Sequence, residues 1–424
     1  MAPIEKRRIG FISTRLAGTD GVSLETEKWA EVIEREGHRC FYMAGELDTP
    51  PEISFMVPEC HFTHEAVVET YEGCFGEALR DPEITRKIED LKHSLKQGIR
   101  DFVDKFDIEL LIPENALTIP LNLPLGLAIT EVAVETGIPM IAHHHDFFWE
   151  RKRFLRNSCW DYLNKAFPPH LPMIKHAVLN SSQDDQLSLR TGISATIIPN
   201  VMDFMSPPPL PDGYGDDLRD KLGFAPDEKF ILQPTRIVKR KGIEHAIEMV
   251  HRLNMPAKLV ISHASGDEGD EYSQRVIDYS RLLDVDTVFC SEFVDDDRGT
   301  APDGKKIYTL ADLYHQADLV TYPSTIEGFG NAFLEAIYFG VPLMVNNYSI
   351  YSLDIKPRGF KTIEIDDYVS DEAVEQVRHV LTHPEEGKEM ARHNYALGAR
   401  YFSYEVLCQK LCTMFMECFG AGEA

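Results

Sequence analysis

Residues 318–347 read DLVTYPSTIEGFGNAFLEAIYFGVPLMVNN. The run DLVTYPS predicts a strand that ends at Pro323, and PLMVNN predicts another. Between them lies a loop holding Glu327, Gly328, Phe329 and Gly330, then a helix that begins near Asn331 and carries Glu335. Gly328 and Gly330 have no side chains, so the backbone N–H groups there can approach a ligand closely. A helix N-terminus adds unpaired donors and partial positive charge, both suited to a diphosphate. Glu335 is placed to accept hydrogen bonds from two ribose hydroxyls, and Glu327 to face a reacting sugar. A lone Gly-x-Gly would be read as a tight turn. Two glutamates eight apart, flanking a glycine turn at a strand end, favour a binding loop.

The same alternation runs outward in both directions. KFILQPTRI (229–237), AKLVISHAS (257–265) and TVFCSEFV (287–294) predict strands, each followed by a loop or a helical stretch. Upstream, RRIGFIST (7–14) predicts a strand, GVSLETEKWAEVIEREGH (21–38) a helix ending at Gly37, and HRCFYMAG (38–45) a strand; IELLIPEN, IPMIAHHHD and HAVLNSS follow. Strand–helix alternation predicts a parallel sheet covered by helices on both faces. The proline- and glycine-rich segment TIIPNVMDFMSPPPLPDGYGDD (196–217) interrupts it as a linker. With 424 residues, two domains are expected. The fold class is therefore α/β, with two Rossmann-like doubly wound domains joined near residue 205 and facing across a cleft. The N-terminal domain is expected over 1–204 plus 396–424, the C-terminal domain over 205–395. The apolar helical tail SYEVLCQKLCTMFMEC (403–418) has no sheet to complete and is expected to pack back on the protein. Ligands should sit at the carboxyl ends of the strands.

Composition narrows the partners. A formal net charge of -26 argues against nonspecific binding to nucleic acid or an anionic membrane. The basic start is followed by too short an apolar run for a secretion signal, and no run is long enough to span a bilayer. The eight cysteines are scattered, without a Cys-x-x-Cys pair, as expected of buried thiols in a reducing cytoplasm.

The span from Glu327 to Glu335 matches the E-x7-E motif of retaining glycosyltransferases, and STIEGFGNAFLEAIYFGVPLM (324–344) resembles glycosyltransferase family 4. The resemblance implies the GT-B fold, a C-terminal domain that holds the nucleotide sugar, and a last helix that returns to the N-terminal domain. It places Glu327 beside the donor sugar and Glu335 on the ribose, with Gly328, Phe329, Gly330 and Asn331 around the donor. The family's R-x4-K pair, which grips the donor diphosphate, falls on Arg236 and Lys241. Two fixed cations there stabilise a leaving group that gains charge as the glycosidic bond breaks. Lys239 and Arg240 are read as surface residues. Gly266 corresponds to a loop beneath the donor.

In the N-terminal half, Gly21 matches the family's glycine-rich loop after the first strand. Asp20 stands where many members have glycine. It either hydrogen-bonds an acceptor hydroxyl or caps the following helix. In IPMIAHHHDFFWERKRFLRNS (138–158), His145, followed by Asp146, aligns with a histidine near the donor sugar. His143 and His144 are expected to be satisfied by packing and backbone bonds. Consecutive strand residues face opposite ways and no further ligand set stands out, so no metal centre is expected. Arg151, Lys152, Arg153 and Arg156 form either an exposed helix start with salt bridges or a pocket for an anionic acceptor, with Arg151 and Arg153 as candidate ligands.

These readings imply a retaining hexosyltransferase, with His145, Glu327, Arg236 and Lys241 as catalytic candidates. The co-substrate is a nucleoside diphosphate sugar. The acceptor is a small anionic molecule, a sugar phosphate or hydroxy-acid glycoside, as in sucrose-phosphate synthases or glucosylglycerate-type synthases. No tightly bound cofactor and no required divalent metal are expected, nor nucleic-acid or membrane partners. A homodimer is compatible with the sequence. The alternatives are a sugar phosphorylase on the same fold and a nonenzymatic nucleotide-sugar-binding protein.

Overall fold

The computed structural model describes residues 6–18, 20–265 and 271–420. The chain forms two compact units. One comprises Met1–Val201 with Tyr404–Ala424, the other Met202–Ser403.

The first unit is built on a seven-stranded sheet: β1 (Arg8–Ile12), β2 (Arg39–Ala44), β3 (Ser54–Met56), β4 (Leu110–Pro113), β5 (Met140–His144), β6 (Ile174–Val178) and β7 (Thr196–Ile197). The order is β3-β2-β1-β4-β5-β6-β7, and every pairing is parallel. β4 and most of β1 and β5 are buried on both faces, as strands covered by helices on either side must be. The chain runs from β1 outward to β2, and from β4 outward in the other direction to β5. The order therefore reverses between β1 and β4, which pair directly from Ile9↔Leu110 to Ile12↔Pro113. The tail helix Tyr404–Phe419 buries Leu407, Leu411, Met414 and Phe415 in the same apolar cluster as Ile9, Phe11 and Trp29.

The second unit carries β8 (Lys229–Gln233), β9 (Ala257–Ile261), β10 (Thr287–Phe289), a hairpin of β11 (Gly299–Thr300) and β12 (Lys306–Ile307), then β13 (Leu319–Tyr322), β14 (Leu343–Asn346) and β15 (Ile363–Ile365). Its main sheet has the order β10-β9-β8-β13-β14-β15, again all parallel. Here the order reverses between β8 and β13. In open α/β sheets ligands bind in the crevice at such a reversal, beyond the strands' carboxyl ends.

The division between the units falls three residues before and eight residues after the expected boundaries. The reason is packing. Phe204 sits in the second unit's core with its ring 5.1 Å from Tyr395, and a Cβ on Gly398 would stand 2.5 Å from its Cζ. Met202 N donates to Phe402 O. The helix Pro384–Tyr401 thus belongs with the second sheet, and only the helix from Tyr404 joins the first. Among the described residues, no helix is long and apolar enough to cross a membrane.

Candidate active site

In the second unit, the loops at the reversal point are those that follow β8 and β13. They contain Arg236–Lys241 and Pro323–Gly330 respectively, so two motifs about 90 residues apart in sequence meet at the centre of one sheet edge. Two glycines make the approach close. Gly242 has φ +58, and a Cβ there would stand 2.5 Å from Pro323 O, so the backbones of the two loops touch. Gly330 has φ +127, and a Cβ there would meet the Tyr322 and Tyr348 hydroxyls at 2.8 and 3.0 Å. The helix Asn331–Tyr338 starts at this glycine with no side-chain cap, and a helix N-terminus favours an anionic ligand.

Glu327 is almost fully buried, with one cation on each oxygen: Lys241 Nζ on Oε1, and Arg240 Nη1 on Oε2 at 2.7 Å. Burial raises its pKa, but the charges of Lys241 and Arg240 outweigh burial and hold it below the ordinary value. Lys241 is itself buried. Desolvation, only partly offset by Glu327, holds its pKa below the usual lysine range. Arg240 was expected at the surface, yet it is half-buried and ion-paired. Arg236 is exposed and has no ion pair among the described residues. Two cations thus hold Glu327, and the charge of Arg236 acts on Lys241 beside them. His263, just beyond β9, lies in the field of Lys241 and Arg236; burial above all, then those charges, lowers its pKa to about 4.

Glu335, one turn into the helix, accepts a hydrogen bond from Tyr314 Oη at 2.9 Å, and the Tyr314 ring stacks on Phe339. Phe329, expected among the donor contacts, is 2% exposed and packs edge-on against Phe402. Only its backbone is available to a ligand. Gly328 and Asn331 lie in the same turn, and Gly266 lies outside the described residues.

In the first unit, the loops at the reversal follow β1 and β4. The reading of Asp20 as a hydroxyl ligand gives way to the capping one. Its Oδ1 accepts from Val22 N and Ser23 N, and its Oδ2 from Ser23 Oγ and from Arg15 at 2.9 Å. Both oxygens are fully used. Gly21 begins the helix Gly21–Arg35, with open space where a Cβ would be.

His145 is clamped through its main chain: its N donates to Asn115 Oδ1 at 3.1 Å, and its O accepts from Gln183 Nε2 at 2.8 Å. Asn115 Nδ2 also donates to Asp146 Oδ1 at 3.2 Å, while Arg151 pairs with Asp146 Oδ2. Arg151 is therefore an internal partner first. Arg153 is exposed, its guanidinium 4.7 Å from the Phe154 ring centroid. Lys152 and Arg156 are exposed as well.

His143 and His144 find side-chain partners rather than the expected backbone bonds. His144 Nε2 is 2.8 Å from His176 Nδ1. His143 and His145 project to one side of β5 and meet Glu114, the residue after β4. Its Oε2 is 2.9 Å from His143 Nδ1 and 3.4 Å from His145 Nε2, and Trp29 stacks on His143 with 4.0 Å between ring centroids. Glu114 is fully buried; desolvation, only partly opposed by His145, raises its pKa to about 7. The expectation that no further ligand stands with the histidines overlooked this carboxylate: one atom from each of the three lies within 4.8 Å of the others. Metal-bound histidines normally donate their second nitrogen to an acceptor, whereas His143 Nε2 is buried without a partner. The geometry is that of a hydrogen-bonded histidine–carboxylate cluster. Glu114, Asn115, Gln183, Arg240, Tyr314 and His263 are thus the residues that sequence reasoning missed. The only signal for the first two was the strand end IELLIPEN.

Residues 215–396 match the family described as Glycosyl transferases group 1. Over 440 aligned positions the chain is 32% identical to mannosylglucosylglycerate synthase of Thermotoga maritima, covering 94% of this chain and 97% of that one. Among solved structures, sucrose-phosphate synthase of Thermosynechococcus elongatus superposes with a TM-score of 0.67 at 14% identity, covering 98% of this chain and all of that one. Anabaena HepE in complex with UDP-glucose superposes with a TM-score of 0.63 at 13% identity, covering 96% and 99%. At those identities the two superpositions establish the shared GT-B fold.

Proposed function

Since the chain belongs to the group 1 glycosyltransferase family, we propose that it transfers a hexosyl group, with retention, from a nucleoside diphosphate sugar to a small carboxylate-bearing hexoside. The donor side rests on one observation: Arg240 and Lys241 hold the single carboxylate Glu327 where the second sheet reverses, with the exposed Arg236 acting on Lys241 and a helix start without a side-chain cap beside them. That excess of positive charge complements a diphosphate. As the glycosidic bond breaks, the leaving group gains charge, so Arg236 and Lys241 bind it more strongly in the transition state than in the ground state. Glu335, oriented by Tyr314, takes the ribose. Glu327, held ionised, lies beside the hexose and stabilises positive charge developing at its anomeric carbon. The acceptor hydroxyl attacks on the face the diphosphate leaves, and its proton passes to a departing phosphate oxygen. Resident cations do the neutralising here, so no divalent metal is required.

The acceptor class follows from the relative, whose name describes a glycerate carrying two hexoses. Arg153 is an exposed cation suited to the acceptor's carboxylate. The eight unpaired cysteines suit a reducing cytoplasm.

The test is a matrix of five nucleotide sugars against glycerate, glucosylglycerate, sugar phosphates and neutral sugars, read by mass spectrometry. The expected result is one new hexose on a carboxylate-bearing acceptor. Transfer only to neutral acceptors would overturn the acceptor class. Phosphorolysis of a glycoside without any nucleotide would overturn the reaction.

A further inference from the structure

We propose that Arg240 is a positioning residue that keeps Glu327 fixed and ionised while Lys241 is drawn onto the donor's diphosphate; this rests on the reading of Lys241 as a diphosphate ligand.

Lys241 has two demands on a single charge. Without ligand its Nζ holds Glu327 Oε1, yet the proposed reaction needs that ammonium on a phosphate. Glu327 is 9% exposed, and a buried carboxylate stripped of its only cation is strongly unfavourable. If Lys241 were its sole partner, it would either stay behind or leave Glu327 to take up a proton.

Arg240 resolves the conflict because it holds the other oxygen. Its Nη1 donates to Glu327 Oε2 at 2.7 Å and lies 3.4 Å from Ile326 O. Its main-chain O accepts from Thr325 N at 2.8 Å and from Thr325 Oγ1 at 3.2 Å. Arg240 is thus attached to the Glu327 loop through both its side chain and its backbone. Immediately afterwards Gly242 lies against Pro323 O, so the two loops are in contact there as well. A guanidinium suits this task, since its rigid fork binds a carboxylate and a carbonyl together, whereas Lys241 carries a compact charge on a flexible stem. Arg240 stays with the loop, so Lys241 can turn to the diphosphate without leaving Glu327 unpaired.

The experiment is a double-mutant cycle on nucleoside diphosphate affinity, measured by calorimetry on the full chain with whichever of UDP, GDP and ADP binds wild type most tightly. Arg240→Met retains the aliphatic stem but cannot pair with Glu327. With Glu327 present, the variant should weaken binding about tenfold, the scale of one charge-assisted hydrogen bond, because Lys241 must remain with the carboxylate. Combined with Glu327→Gln, the same substitution should cost less than about threefold, since a neutral amide does not need Lys241. Equal losses in the two backgrounds would mean that Arg240 contacts the diphosphate itself, and no loss in either would mean that it holds nothing that matters; each overturns the proposal. If Arg240→Met does not fold, Arg240→Lys carries the same comparison, and its loss must also disappear beside Glu327→Gln. The underlying reading fails separately: then Lys241→Met would bind the nucleotide as tightly as wild type.

Discussion

Replacing Glu114 by glutamine should stabilise the first unit at alkaline pH, by an amount that the cluster's geometry sets. Glu114 meets His143 and His145, Trp29 stacks on His143, and Glu114 Oε1 is buried without a partner. The nearest further charges are Glu25, also buried and paired with Lys28, and Asp146 beyond His145. Among the described residues no lysine or arginine pairs with the carboxyl, and burial raises its pKa from 4.5 to about 7. Between those values the folded protein holds a proton that the unfolded chain has released. Stability from this group is therefore complete below pH 4.5 and is lost as pH rises through 7. At 1.36 kcal/mol per unit, the loss is about 1 kcal/mol at pH 5 and about 3 kcal/mol at pH 8.5. The histidines act in the opposite sense. Desolvation lowers His143 to about 3 and His176 to about 4, so their contribution is complete above 6.5 and falls as acid is added. The wild-type pH profile mixes the two effects, but the difference between wild type and Glu114→Gln isolates the carboxyl. All three tryptophans, Trp29, Trp149 and Trp160, lie in the first unit, so their fluorescence during urea unfolding reports that unit alone. Relative to wild type, the variant should gain about 2 kcal/mol between pH 5 and pH 8.5, which is a midpoint shift of roughly 1 M urea. A gap that does not change with pH would refute the reasoning, because Glu114 would then be ionised throughout and the cluster would be an ion pair.

Three further outcomes follow from the assigned roles. Lys241→Ala should lower kcat by about a hundredfold or more, the scale of a lost transition-state electrostatic contact, in a steady-state transfer assay at saturating donor. Tyr314→Phe should raise KM for the nucleotide sugar severalfold with kcat nearly unchanged, since it removes only the hydroxyl that orients Glu335; Glu335→Ala should raise it further. Asp20→Ala should destabilise the first unit by about 1 kcal/mol, the usual worth of a helix cap, in the same fluorescence assay, and should leave acceptor KM within about twofold.

What could be read from the sequence divides according to distance along the chain. The Glu327–Glu335 loop was legible because its chemistry is local: a strand end, a glycine turn and a helix start are contiguous. Arg236 and Lys241 were legible for the same reason, and the order of strands then places both loops at one reversal of the sheet. Arg240 was misread because a basic run looks the same whether it is solvated or paired. Only the docking of that run onto residues 325–327 distinguishes Arg240 from Lys239. Glu114 and Asn115 act on His145 and Asp146 from a neighbouring strand, Gln183 from a later helix, and Tyr314 reaches Glu335 across 21 residues; no spacing rule marks such contacts. The unit boundary was misplaced in a related way. The helical pattern runs almost unbroken from Pro384 to Phe419 and contains no proline near the break at Phe402. What divides it is the stacking of Phe402 on Phe360 and its edge contact with Phe329. That contact ties the end of the helix to the glycine turn that closes the donor loop. Phe329, which the sequence suggested as a ligand, therefore serves the site by anchoring its backbone in the second unit's core.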